Sequence, residues 1–199
     1  MRYTYSDMTK DDIIALPNDR LRQKSKRVGV VTDEIKQVIA DMEAATISWD
    51  TSRDHEVGVA LAAVQINRLY KIVVVRNNYD DKEDHSFTTF INPEITKLEG
   101  KVTADYEGCL SVPNVYGKVP RYSKIKLKAL DANGREFRVT ADGFLARIFQ
   151  HEIDHTNGIV FIDHIQDNES AFYKLDEKGE LKSLDYDESI KGNSDLWET

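Results

Sequence analysis

Cysteine is almost absent from this chain: Cys109 stands alone among 199 residues. A disulfide framework is therefore excluded, and a reducing cytoplasm is the expected compartment. Long hydrophobic runs are missing too. The longest, such as IVVV from Ile72, are far too short to span a bilayer, so no membrane association is expected. The opening MRYTYSDMTKDD has no apolar stretch of the kind a secretory signal carries. There is no basic stripe, which argues against a direct nucleic-acid site. Internal repeats and low-complexity segments do not occur.

What is present fits a single globular domain with a sizeable core. Hydrophobic residues make up 40% and charged residues 31%, an ordinary balance for such a domain. The net charge of −8 is uneven. Residues 163–199 hold eleven Asp or Glu against four Lys, so the body before them is close to neutral. The expected division is a globular body over residues 1–165 and an acidic extension over 166–199. The segment FYKLDEKGELKSL in that extension reads as a short hairpin turning at Gly179, packed on the body.

Local patterns set the fold class. IIALPNDRLRQKSKRV reads as an extended arm ending in a turn, because Pro17 forbids a helix through it. Thr32 is a good N-cap, and Asp33 and Glu34 suit the positive end of a helix dipole. Ile35, Val38, Ile39 and Met42 then follow at helical spacing, which predicts an amphipathic helix. YKIVVVR reads as a buried strand, and FTTFINPEI as a strand interrupted by Pro93. YSKIKLKAL and REFRVTA alternate around an Asn133-Gly134 turn, the clearest hairpin in the chain. A second helix is expected from an Asp142 cap to a left-handed Gly158. Phe144, Leu145, Ile148, Phe149 and Ile153 leave it few polar faces, so it should be central and buried. GIVFIDHI then reads as a strand. Two helices among many strands make the class α+β, with antiparallel sheets packed around the buried helix.

That buried helix carries HEIDH. His151 and His155 lie four residues apart, so they stack one turn apart on one face, about 6 Å between Cβ atoms. Both imidazoles can reach one divalent ion at about 2 Å. Glu152 is offset by one residue, poorly placed to ligate but close enough to hold a proton from water. In a chain with five His, the HExxH pattern arises by chance in roughly one sequence per hundred. A catalytic site of this kind needs a third protein ligand. Cys109, in the constrained segment DYEGCLSVP, is the favoured candidate. The rival is a downstream glutamate: Glu169, Glu177 and Glu180 lie at suitable separations, but in a polar tail with no helical pattern to hold a carboxylate over the ion. Phe144 and Ile148 share the helix stripe of the histidines, so they either wall an apolar slot beside the ion or pack in the core.

Three segments, GVALAAVQ (58–65), EGCLS (107–111) and HEIDH (151–155), resemble the signature motifs of the peptide deformylase family. LPNDRLRQKSKRV resembles that family's N-terminal arm. The likeness covers roughly residues 10–165. It implies Cys109, His151 and His155 as metal ligands, with Fe²⁺ as the physiological ion and Zn²⁺ or Ni²⁺ as substitutes. It implies removal of the N-terminal formyl group from formyl-methionine of new polypeptides, with Glu152 as the acid–base. The substrates would be N-formyl-methionyl peptides and nascent chains, and ribosome proximity would suit such an enzyme. By the same resemblance, Gln65 and the backbone N–H of Leu110 line the place where the oxyanion forms. Gly58, Val59, Ala60 and Gly108 border the substrate, and Asp154 pairs with Arg121. Where the family usually has a glycine, this chain has Ala60. Its methyl would narrow the groove, or cost about 1 kcal/mol if the backbone there needed a positive φ. Two other functions follow from the same residues: a degenerate relative that binds formyl peptides or metal without turnover, and an HExxH endopeptidase.

Overall fold

The computed structural model describes residues 6–53 and 55–197. Residues 1–5 of the opening segment and 198–199 of the acidic extension lie outside it. The elements in chain order are α1 (Asp33–Asp50), β1 (Ala60–Ala62), β2 (Ile72–Arg76), β3 (Phe87–Cys109) and β4 (Val112–Leu130). They continue with β5 (Glu136–Asp142), α2 (Gly143–Thr156), β6 (Phe172–Leu175), β7 (Leu181–Ser183) and a single turn, α3 (Ser194–Trp197). All seven strands join one antiparallel sheet, in the order β1-β2-β3-β4-β6-β7 with β5 also on β4, rather than several separate sheets. Among the described residues, no helix is long and apolar enough to cross a membrane.

The two long helices cover opposite faces of this sheet. Val73 and Val75 point into a cluster with Ala146, Ile148 and Phe149 of α2. Ile72 and Val74 point the other way, against Val38, Ile39 and Met42 of α1. A strand buried on both faces has no polar side, which is why IVVVR is continuously apolar. Helix α1 begins as its sequence suggests, with the Thr32 hydroxyl accepting from the Ile35 N–H. Met42 is fully buried in its apolar stripe, a burial that stabilises by about 2–3 kcal/mol.

Several local expectations are corrected. GIVFIDHI forms no strand: Phe161–His164 is a 3-10 helix. The Asp163 carboxylate accepts from the Val160 N–H at 2.8 Å, and Arg22 donates to the same carboxylate. That local turn wins because a short apolar run carries no period of its own. Val160, Phe161, Ile162 and Ile165 are all buried in a third cluster under the C-terminal segment. Asp142 makes no capping bond to α2, and instead faces Lys124 across the β4–β5 pair at 3.4 Å. Pro93 interrupts the β3 ladder as its sequence suggests, at a register shift between Ile91 and Glu94, without ending the strand. Asn92 takes a left-handed φ of 53° at a register shift, and its side-chain amide bonds both backbone groups of Val28 at 2.8 Å. The bulge absorbs the proline, and β3 runs on to Cys109. In the β4–β5 turn only Gly134 is left-handed, while Asp131 accepts from the Asn133 and Arg135 N–H groups.

Two features set the position of α2. Gly158 ends it with φ 78°, and a Cβ there would lie 2.3 Å from the Arg22 carbonyl oxygen. Only glycine lets the N-terminal arm pass so close. In the middle of the helix, Gln150 bonds both backbone groups of Tyr122 on β4, at 2.9 and 3.0 Å.

Candidate metal centre

Strand β3 ends at Cys109 beside the middle of α2. The Cys109 sulfur lies 3.2 Å from His155 Nε2. Ligand atoms of Cys109, His151 and His155 all fall within 4.8 Å of one another. A tetrahedral ion with bonds of 2.0–2.3 Å has edges of about 3.5 Å, so small side-chain shifts would close the set around one divalent ion. Among the described residues this is the one Cys, His or carboxylate group with such spacing. Glu169, Glu177 and Glu180 are not part of it.

The ring orientations suit ligation. His151 donates from Nδ1 to the Glu107 carboxylate at 3.0 Å, which leaves Nε2 for a metal. Burial lowers the His151 pKa by itself, but bonds and charge from Cys109 and Glu107 outweigh that and raise it well above its usual range. His155 is held well below its usual range by burial and by the charge of His151, so it stays neutral with a lone pair to give. Its Nδ1 is buried without a hydrogen-bond partner, as is Oε2 of Glu152. Unpaired polar atoms are costly inside a protein, and a free Glu152 oxygen beside three soft or borderline donors fits a metal site.

Glu107 organises this centre, and the motif reading had not singled it out. It accepts from Arg121 Nε at 2.9 Å and Nη2 at 3.1 Å, from Arg147 at 2.8 Å, and from His151. Burial raises its pKa, but these partners prevail and hold it at about 2. Arg121 also donates to Asp154, which bonds His164 at 2.7 Å. Arg147 reaches three backbone carbonyls of β3 and β4 as well. The signal was available: Glu107 is two residues before Cys109, on the same strand face, and Arg147 is one helical turn before His151.

Glu152 is buried, and desolvation lifts its carboxyl to about 7 against the opposing charge of His151. It lines a cavity of about 310 Å³ together with Cys109, His151, Gln65 and Leu110. The Gln65 carbonyl accepts from the Ala62 N–H at 2.9 Å. That bond turns its NH₂ toward Ser111 Oγ at 3.1 Å and Cys109 Sγ at 3.6 Å. Val59, Ala60, Gly108, Phe144 and Ile148 also border the cavity. Phe144 is 49% exposed at its mouth, packed edge-on to Tyr79, whereas Ile148 is buried and serves the core as well.

Gly58 is not among the residues lining the cavity, though Val57 and Val59 beside it are; its N–H donates to Asp50, its carbonyl accepts from Arg76, and a Cβ would strike Thr46 at 2.9 Å. Asp154 and Arg121 stand behind the centre, not in the cavity. Ala60 lies in β1 opposite Val75, outside the positive-φ residues, so its methyl carries no backbone strain. Tyr116 donates to Glu56 at the rim, a contact without a sequence signal.

Comparison with known proteins agrees with this arrangement. Residues 10–171 match the sequence model of the family described as polypeptide deformylase. A peptide deformylase of Thermomicrobium roseum is 44% identical over 171 residues, covering 84% of this chain and 93% of that protein. Peptide deformylase 2 of Clostridium acetobutylicum is 43% identical over 143 residues, covering 72% and 87%. Among solved structures, a Synechococcus elongatus peptide deformylase in complex with actinonin superposes with a TM-score of 0.72 at 35% identity, covering 84% of this chain and 88% of that one. With most of its length matched and relatives above 40% identity, the chain belongs to the polypeptide deformylase family.

Proposed function

We infer that Cys109, His151 and His155 hold one divalent metal ion, Fe²⁺ physiologically with Zn²⁺ or Ni²⁺ as substitutes, and that Glu152 is the acid–base of the reaction. The chain is a metal-dependent hydrolase that removes the N-terminal formyl group from formyl-methionyl polypeptides and releases formate. The observation that carries the residue assignment is the Cys–His–His group within 4.8 Å, next to a buried Glu152 whose Oε2 has no partner.

When bound, the ion polarises the formyl carbonyl and lowers the pKa of water toward neutrality. The remaining work falls to the chain. Glu152, already lifted to about 7 by burial, takes a proton from the attacking water. It delivers that proton to the amine nitrogen as the C–N bond breaks. The Gln65 NH₂, aimed by its bond to Ala62, and the Leu110 N–H donate to the developing oxyanion. Loss of one such donor typically costs about 3 kcal/mol of barrier. Phe144 and Ile148 wall the slot for the methionine side chain, and Val59, Ala60 and Gly108 border the peptide. Glu107 holds the His151 ring, with Arg121 and Asp154 behind it. Cytoplasmic residence and proximity to the ribosome suit a substrate that is a new chain.

Formate release from formyl-methionyl peptides by protein purified without oxygen, run beside elemental analysis, tests this reading. Turnover should stop with a chelator. Glu152→Ala should keep the metal and lose at least about a hundredfold in kcat; retained turnover would refute its role. Cleavage of internal peptide bonds, or metal retention after Cys109→Ala, would favour the endopeptidase instead. Tight binding of formyl peptides with no formate would favour the degenerate relative, which the unstrained extended backbone at Ala60 speaks against.

A further inference from the structure

The cavity at the metal centre has a wall that the family match does not reach. That match ends at residue 171, and β6 begins at Phe172. Leu175 and Leu181 nonetheless line the same cavity as Cys109, His151 and Glu152. They are register partners across the β6–β7 pair, so they form one apolar pair at its end. Neither is fully buried, which leaves part of each to meet a ligand.

The hairpin is built into the body. Tyr173 pairs with Tyr116, and Phe172 with Gly117, extending the sheet beyond β4. Phe172 is fully buried, and the Tyr173 ring packs edge-on to Tyr106 at 4.9 Å. At the tip, a Cβ on Gly179 would lie 3.0 Å from His55, which also lines the cavity.

Register gives the distance to the reacting centre. Gly108 pairs with Tyr116, and Tyr116 with Tyr173. Two strand spacings of about 4.8 Å place β6, with Leu175, about 10 Å from Cys109, and Leu181 on β7 lies one spacing further. An extended peptide advances about 3.5 Å per residue. A formyl group held at the metal centre therefore brings the second or third residue of the peptide to the leucine pair.

We propose that Leu175 and Leu181 form a specificity wall that favours formyl-methionyl peptides with an apolar side chain at the second or third residue. The proposal rests on the deformylase reading above. Its test is formate release by the metal-loaded full chain from formyl-Met-X-Y peptides in which X or Y is Leu, Ala or Ser, with the Leu-to-Ser and Leu-to-Ala ratios read for each protein. The wild-type protein should prefer Leu at one of these positions by about tenfold in kcat/KM, mainly through KM. In Leu175→Ser/Leu181→Ser that ratio should fall below about threefold. The ratio is internal to each protein, so a partial loss of folded enzyme does not disturb it. Leu175→Trp, which keeps the wall apolar but fills the space, should instead turn the preference toward Ala over Leu. No preference in the wild type, or the same ratio in all three proteins, would overturn the proposal. No formate from any peptide with the wild-type protein would overturn the deformylase reading itself.

Discussion

Replacing Glu107 with glutamine removes one negative charge from among three cationic partners while keeping the side chain's shape. In the native protein the carboxylate accepts two bonds from Arg121, one from Arg147 and one from His151, and is 6% exposed. Glutamine presents one carbonyl to those donors and turns an NH₂ against the others. Arg121 keeps Asp154, but Arg147 keeps only backbone carbonyls. Breaking a buried ion pair from one side costs about 3–5 kcal/mol. The pKa leads to a similar figure. A carboxyl held at about 2 rather than 4.5 contributes about 3 kcal/mol at neutral pH. Part of that comes from His151, which a bound ion keeps neutral, so the metal-loaded protein should lie at the lower end. Because the folded pKa is below the unfolded one, the contribution is complete above about pH 4.5 and vanishes as the pH falls toward 2. Glu107→Gln should therefore lower the urea unfolding free energy by about 3 kcal/mol or more near pH 7, and Tm by roughly 6–20 °C. It should also flatten the acid limb of stability between pH 4.5 and 2, and weaken metal binding about 10–100-fold, since the His151 ring loses its fixed acceptor. Urea titrations at several pH values and competitive metal titration measure these effects. A stability loss under about 1 kcal/mol with unchanged metal affinity would show that the carboxylate is not the hub argued here.

Three further outcomes are expected. Gln65→Ala should lower kcat for formate release about 10²–10³-fold with the metal retained on elemental analysis, because the NH₂ near Cys109 and Ser111 is lost. Asp50→Ala should cost about 3–5 kcal/mol in urea unfolding, since Arg76 is fully buried and Asp50 is the carboxylate it pairs with. Ala60→Gly should change kcat/KM by less than about threefold and destabilise by about 0.5–1 kcal/mol, because the strand needs no positive φ there; a larger gain in activity would show that the methyl obstructs substrate.

Some of the architecture follows from short-range pattern alone. The Thr32 cap, the Ile35–Met42 stripe and the β4–β5 alternation depend on residues a few positions apart, and backbone geometry ties such neighbours directly to one face. The FYKLDEKGELKSL hairpin belongs to the same class, with Gly179 left-handed at its turn. GIVFIDHI did not, because a brief apolar run is equally at home in a strand or a tight helical turn. There Arg22, far away in the chain, helps settle the matter through Asp163. Asp142 failed as a cap because Lys124, its neighbour across the sheet, competes for the carboxylate.

The candidate chemistry is legible locally: two imidazoles one turn apart on a buried helix with a carboxylate beside them are the pattern of a metal site with a proton acceptor. Local pattern favours Cys109 over a downstream glutamate as the third member, but it does not bring the two together, since Cys109 and His155 stand 46 positions apart. Their meeting depends on where β3 ends against α2, and so on a bulge at Asn92, a register and a glycine that admits the N-terminal arm. The reach of the C-terminal hairpin into the cavity is of the same kind. Both are sums of many weak packing choices across distant segments, which residue spacing does not encode.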